Sequence, residues 1–237
     1  MPLEGAYFGC KRMTQTAPPS LIETMKADAQ GRIALLPYHL LRLKHSAQAM
    51  GYAYPGDDRV KATIQGALNA ALNDTALRIR LLLSHSGTLS IQTAPLADLQ
   101  GIPLIALTEP RLKSAEPFLQ HKTTHRPWYD ATTQWLTQHP DFFDLIFLNE
   151  KDELCEGSRS NLYILKNGEW LTPPLSSGLL GGVLRTQLLE TGQAREAILA
   201  SSDLYAAGKG SIRLSNALRG WFDVQMCPSV LPGRFLP

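Results

Sequence analysis

In the stretch LQHKTTHR, from Leu119 to Arg126, one lysine stands between two histidines and two threonines, with an arginine four residues on. Like charge nearby disfavours an ammonium, so this setting lowers the pKa of Lys122. A lysine that attacks a carbonyl or carries a proton must spend time neutral, which nominates Lys122 as a nucleophile. His121 and His125 are four apart, a spacing that can put two metal ligands on one helix face. A zinc site needs at least a third ligand, and none is marked nearby. These histidines are therefore read as shaping hydrogen bonds or packing, and no metal is expected.

Three other stretches bear chemistry of their own. TPPLSSGLLGGVLR, from Thr172 to Arg185, stiffens its entry with two prolines and leads through small residues into a helix. Free N–H groups at a helix start bind anions, so the stretch suits a phosphate cradle; it equally suits a tight loop whose glycines satisfy turn geometry. It is not a Walker A loop, because no Gly-Lys-Ser/Thr follows at the required spacing. In ELCEGSRSNLY, Glu156 precedes a glycine ahead of a strand. It reads either as a solvated hairpin carboxylate or as one aimed at a cationic cofactor nitrogen. In HLLRL, Arg42 sits next to the apolar face of a helix. An exposed arginine there is ordinary, whereas a buried one clamps a carboxylate or phosphate with its forked donors.

The elements that must position these residues can be read from periodicity. LIETMKADAQGRIALL reads as a strand, a polar turn through Asp28–Gly31, and a second strand. Leu36, Leu40, Leu43, Ala47 and Met50 then recur at helical steps, with Pro37 at the start and Gly51 at the end. A second helix is expected from Asp57 to Leu72. ALRIRLLLS and LSIQTA make a hairpin, and IPLIALT adds a strand. The pattern breaks from Glu109 to Gln120, and a domain boundary is placed there, giving a smaller N-terminal α/β domain (1–110) and a larger C-terminal one (111–237). RPWYDATTQWL is helical; DLIFLN, NLYILKNGEWLTP and SIRLSN are strand-like; GGVLRTQLLETG is a helix with a glycine-rich entry. Strands and helices mix without strict alternation, which argues for α+β or mixed α/β.

Composition sets outer bounds. The chain has 237 residues, 44% hydrophobic and 19% charged, with a formal net charge of +2. That length can bury a real core, and so small a charge makes no case for nucleic acid or a membrane surface. Cys10, Cys155 and Cys227 are too widely spaced for a disulfide framework or a CxxC metal site, which favours a reducing compartment. MPLEGAYFGCKRM lacks a long apolar region after a basic start, so no signal peptide is expected, nor is any stretch long and apolar enough to span a bilayer. A cytoplasmic enzyme is the default.

The order of the motifs along the chain is more specific than any one of them. It runs ETM…HLLRL, HKTTHR..YD, LCEGSRSNLY, TPPLSSGLLGGVLR, SNALRGW. That succession resembles the class IV aminotransferase-like family, the fold-type IV enzymes that use pyridoxal phosphate, from about Leu21 to Trp221. Within the family, HKTTHRPWYD and SNALRG look most like the aminodeoxychorismate lyases. The resemblance implies two domains with the cofactor between them, the second built on a barrel-like sheet, and a homodimer. It places Lys122 on the Schiff-base lysine, Glu156 on the carboxylate facing the pyridine nitrogen, and Arg42 on the phosphate-binding arginine. Val183 and Leu184 fall on the helix-start cradle and Tyr129 on a motif tyrosine near the cofactor, with Ser215 or Asn216 left to help the site.

Three departures accompany it. The part upstream of LIET lacks the DRGF.YGDGVFET entry of transaminases, Leu180-Gly181-Gly182 stands where many members have Leu-Pro-Gly, and Ala217 lacks the hydroxyl that transaminases often offer to phosphate. The reaction implied is conversion of 4-amino-4-deoxychorismate, a small-molecule substrate, to 4-aminobenzoate and pyruvate, a folate-biosynthesis step. The alternative is a D-amino-acid or branched-chain transaminase on the same fold. A substrate with two carboxylates calls for facing cations. Arg126 is one candidate, and Arg78 and Arg80, which share a strand face, are others.

Overall fold

A computed structural model of the chain describes residues 18–71 and 74–227. The stretch MPLEGAYFGCKRM and Cys10 lie outside the described residues, as does Leu72, the expected end of the second helix.

The chain enters β1 (Leu21–Ala27) and turns at Asp28, whose Oδ1 accepts from the Gln30 and Arg32 amides at 3.0 and 2.8 Å. No second strand follows. The expected hairpin gives way because Pro37 starts α1 (Leu36–Met50) at once, and Ile33 and Leu36 pack onto the core as its lead-in. α1 ends on Gly51 at φ 72°, the left-handed cap that glycine adopts without strain. α2 (Asp57–Ala71) has Asp57 and Asp58 in its first turn, where the helix dipole favours negative charge.

β2 (Leu77–Leu83) and β3 (Leu89–Pro95) complete a three-stranded antiparallel sheet in the order β1-β2-β3. On β2, Leu77, Ile79, Leu81 and Leu83 are buried under Leu40, Leu43 and Ala47 of α1 and Val60, Ile64 and Leu68 of α2. Each such side chain contributes roughly 1.5–3 kcal/mol by leaving water. The period of two then sends Arg78 and Arg80 to the opposite face, level with Lys26 and Thr24 of β1.

The larger sheet begins at β4 (Leu104–Leu112), upstream of the break at Glu109–Gln120 chosen from the sequence. Single 3-10 turns at Pro117–Gln120 and Pro127–Tyr129 precede α3 (Asp130–Gln138). This connection carries the chain across to β5 (Phe142–Asn149), which pairs parallel with β4, as a parallel pair requires. β6 (Leu154–Gly157), β7 (Asn161–Lys166) and β8 (Glu169–Thr172) follow as antiparallel neighbours, so NLYILKNGEWLTP resolves into a hairpin turning at Asn167-Gly168. Then come α4 (Val183–Glu190), β9 (Arg195–Glu196), α5 (Ser201–Ala206), β10 (Ile212–Asn216), β11 (Gly220–Asp223) and β12 (Gln225–Met226).

Among the described residues the strand order is β11-β10-β7-β6-β5-β4-β12, with β8 and β9 continuing from β7. β11 and β12 stand at opposite ends of that order, yet Val224 alone separates them in the chain. The sheet must therefore curl until its ends meet, which is the barrel-like form the resemblance implies. Ile105, Ile146, Leu162, Ile164 and Leu214 fill its core. The loop carrying Lys122 is paired to β1 and its lead-in: the Ile22 amide donates to Lys122 O at 2.7 Å and the Thr124 amide to Ser20 O at 2.9 Å.

Candidate active site

That pairing fixes Lys122. Its backbone is held against β1, Thr123 is fully buried with its hydroxyl donating to His125 O, and Thr124 Oγ1 accepts from the Ser20 amide. The crowding threonines therefore shape the loop. So do the histidines: His121 Nδ1 lies 3.0 Å from Ser46 Oγ, and His125 packs edge-on against Phe118 and Trp128. Among the described residues no cluster of three or more His, Cys, Asp or Glu is arranged to hold a metal. The Lys122 amine makes no hydrogen bond or ion pair to a described side chain. Burial, with Arg126 and Arg42 adding like charge, brings its pKa down to about 7. The cations that matter are thus two arginines, not the flanking histidines.

Lys122 opens into a cavity of about 530 Å³, and ten of the eleven cofactor- and substrate-site residues named from the sequence line it. Those ten are Arg42, Arg78, Arg80, Lys122, Arg126, Glu156, Val183, Leu184, Ser215 and Asn216. Tyr129 is absent from the lining and stands behind Glu156, its hydroxyl donating to Oε1 at 2.8 Å. The Leu180 amide donates to the same oxygen at 3.1 Å, and Asn161 Nδ2 to Oε2 at 3.1 Å. These donors favour the carboxylate, but burial outweighs them and raises its pKa to about 7. A cation brought into the cavity would tip Glu156 to its charged form.

Two features of the lining suit anions. α4 starts at Gly182 with no side chain capping its first turn, and Arg42 reaches towards the same place, Nη1 lying 3.4 Å from Gly181 O. A Cβ on Gly182 would lie 2.0 Å from Asn161 Oδ1, so only glycine admits this approach of the helix start to the Asn161 amide. Arg78 and Arg80, also in the lining, form no ion pair with a described residue. Burial, then Arg78 and Arg126, lower the pKa of Arg80, so the three cations are close enough to repel. Arg126 lies over the Tyr129 ring at 4.5 Å and donates to Ser158 O at 2.7 Å.

Asn216 turns inward on its own loop. Its Oδ1 accepts from the Leu218 and Arg219 amides at 3.0 and 2.8 Å, and its Nδ2 donates to Arg159 O at 3.2 Å. Sequence reasoning missed Asn161, Asp144 and Arg159. Asn161 faces Glu156 across the β6–β7 hairpin, and the small polar run GSRS between them was the available signal. Asp144 is fully buried and organises that run, accepting from the Ser158 and Arg159 amides and the Ser158 and Ser160 hydroxyls. Arg159 lines the cavity but donates to Phe143 O and lies over the Phe143 ring.

Lysine, buried carboxylate and helix start share one cavity, and the chain matches the family model for amino-transferase class IV over residues 20–227. The chain belongs to the class IV aminotransferase family. A Schizosaccharomyces pombe protein named "Putative aminodeoxychorismate lyase" is 34% identical over 181 residues, 75% of this chain and 76% of that protein. The solved structure of a Mesorhizobium loti "Putative amino-acid aminotransferase" is 32% identical, covers 89% of this chain and 100% of that one, and has a TM-score of 0.80. A Mycobacterium tuberculosis "hypothetical aminotransferase" in an "alpha-ketoglutarate and PMP bound form" has a TM-score of 0.75 over 98% of this chain and 88% of that one. At 22% identity that last likeness shows the fold alone. This class IV aminotransferase-family enzyme has the mixed α/β fold of the fold-type IV pyridoxal phosphate enzymes. Its donor set fits the family's cofactor: an amine without a partner among the described residues, a buried carboxylate, and an uncapped helix start beside an arginine. No helix among the described residues is long and apolar enough to cross a membrane.

Proposed function

We propose that this enzyme is a pyridoxal phosphate-dependent lyase that converts 4-amino-4-deoxychorismate to 4-aminobenzoate and pyruvate. Lys122 would carry the cofactor, Glu156 would face its ring nitrogen, and Arg42 with the Val183 and Leu184 amides would hold its phosphate. When bound, the cofactor supplies an aldehyde and an electron-accepting ring. With its pKa near 7, Lys122 is neutral often enough to take the proton from the substrate carbon bearing nitrogen. It can then return that proton towards the departing pyruvate. Glu156, held by Tyr129, Asn161 and the Leu180 amide, keeps a negative charge opposite a cationic nitrogen. Asp144 fixes Ser158, whose carbonyl in turn accepts from Arg126 and steadies that guanidinium in the cavity lining.

The observation that carries the lyase reading is the trio Arg78, Arg80 and Arg126 in the cavity lining, with Arg80 close enough to feel both of the others. Unpaired cations lining a pocket favour a substrate with two carboxylates, whereas an apolar amino acid side chain would desolvate them without compensation. The 34% identical relative named as a lyase points the same way. A transaminase of the same fold is the second reading, favoured by the 32% identical Mesorhizobium loti protein. Aminodeoxychorismate supplied without any keto acid separates them. The proposal expects repeated turnover with one pyruvate per aminobenzoate. It fails if aminodeoxychorismate is inert while a D- or branched-chain amino acid is consumed only together with a keto acid.

A further inference from the structure

Most of the Arg42 fork is already engaged. Nε donates to Glu23 Oε1 at 2.9 Å and Nη2 to Glu23 Oε2 at 2.6 Å. A guanidinium is planar, so two donors seated on one carboxylate fix the direction of the others. The edge left over lines the cavity beside Gly182 and Val183. Glu23 is itself only 2% exposed and is gripped from a second side, His39 Nδ1 lying 2.6 Å from Oε2. Burial would raise the Glu23 carboxyl, but Arg42 and His39 outweigh it and hold it down at about 2.

The sequence makes this arrangement simple. His39 and Arg42 are three apart on α1, so they lie on one face of the helix and both reach the strand residue Glu23. The rest of the His39 ring is buried among Met25, Leu36, Leu40 and Val60, and its Nε2 finds no partner among the described residues. Both Glu23 oxygens accept, so the shared proton sits on Nδ1, and among the described residues the ring's hydrogen-bond partner is that carboxylate.

We propose that Glu23, braced by His39, is the positioning residue that aims Arg42 at a phosphate group in the cavity. This rests on the reading that the cavity takes pyridoxal phosphate. It makes a prediction opposite in sign to simple electrostatics, by which removing a carboxylate near the site tightens anion binding. Loss of aim instead weakens recognition of phosphate, while the lost charge reaches the rest of the site only through a lower Lys122 pKa, which acts on phosphorylated and unphosphorylated ligand alike.

The test compares dissociation constants of pyridoxal phosphate and of unphosphorylated pyridoxal, read by absorbance and fluorescence. In Glu23→Gln the preference for the phosphorylated form, a ratio in which any change at Lys122 cancels, should fall on the order of tenfold. His39→Leu should do the same and His39→Asn, which keeps a donor near Nδ1, should restore much of it. In an Arg42→Ala background Glu23→Gln should add nothing. If Glu23→Gln fails to fold, the two His39 variants carry the test. An unchanged or increased preference in Glu23→Gln or His39→Leu, with Arg42→Ala still reducing it, overturns the positioning role alone. A wild-type protein with no preference for the phosphorylated form overturns the cofactor reading, and this proposal with it.

Discussion

The Tyr129 hydroxyl donates to Glu156 Oε1 across 2.8 Å from outside the cavity lining, so its partner is the carboxylate rather than anything in the cavity. The ring is anchored independently, edge-on against Phe147 and Trp128. Tyr129→Phe should therefore fold normally, losing about 1–2 kcal/mol for the donor removed. With one donor fewer, Glu156 is harder to ionise, and pyridoxal phosphate affinity should drop by about tenfold. Thermal melting and a cofactor titration on the same sample check both parts.

Lys122 and Glu156 should give the cofactor-free protein an unusual pH profile. Burial raises the Glu156 pKa from 4.5 to about 7, so between those values the folded state binds a proton the unfolded chain has released. Stability contributed by this group is present below pH 4.5 and lost as pH rises to 7, about 3 kcal/mol in all. Lys122 is lowered from 10.5 to about 7, so in that window the unfolded chain binds the extra proton and stability rises with pH. Together they place a minimum near neutral pH. Urea denaturation at pH 5, 7 and 9 should show Glu156→Gln flattening the acid side and Lys122→Met the alkaline side. A wild-type profile that peaks at pH 7 and is unchanged in both variants would contradict these shifts.

Gly182 and Gly181 should respond differently to the same substitution. A Cβ at Gly182 meets Asn161 Oδ1 at 2.0 Å, and Asn161 holds both Glu156 and Leu180 O. Gly182→Ala should cost about 1–3 kcal/mol and weaken cofactor binding through Glu156. At Gly181 the new methyl meets only Leu175 Cδ2 at 3.8 Å, so Gly181→Ala should be close to neutral. Urea midpoints of the two variants decide it.

Arg80 sits on β2, on a different element from Lys122, and is part-buried next to Arg78 and Arg126. Arg80→Ala should raise KM for aminodeoxychorismate by roughly ten- to a hundredfold while leaving the pyridoxal phosphate dissociation constant unchanged. Equal losses in both would place Arg80 in the cofactor site instead. Steady-state kinetics alongside a cofactor titration read the split.

Much of this protein was legible in the order of its residues. The helical steps of Leu36 to Met50, the alternation in LRIRLLL and the ordered motifs depend on chain-local periods, and those periods persist in the folded molecule. Alternation alone put Arg78 and Arg80 on one face, and the motif succession nominated residues of which all but Tyr129 line one cavity. What lay beyond the sequence was every relation between residues far apart in it. RIALL had enough apolar residues for a strand, but β1 pairs with β2, about fifty residues on, and Pro37 committed the intervening chain to helix. The local reading of Lys122 named its histidine neighbours and Arg126; the fold turned the histidines aside, kept Arg126 close and added Arg42 from α1, because Ile22 and Ser20 pin the loop to β1. Glu23 gave no local sign of its part, since a carboxylate on a strand becomes a partner for His39 and Arg42 only once α1 packs across it. Burial and distance set charge states, and both are properties of the packed molecule rather than of the chain.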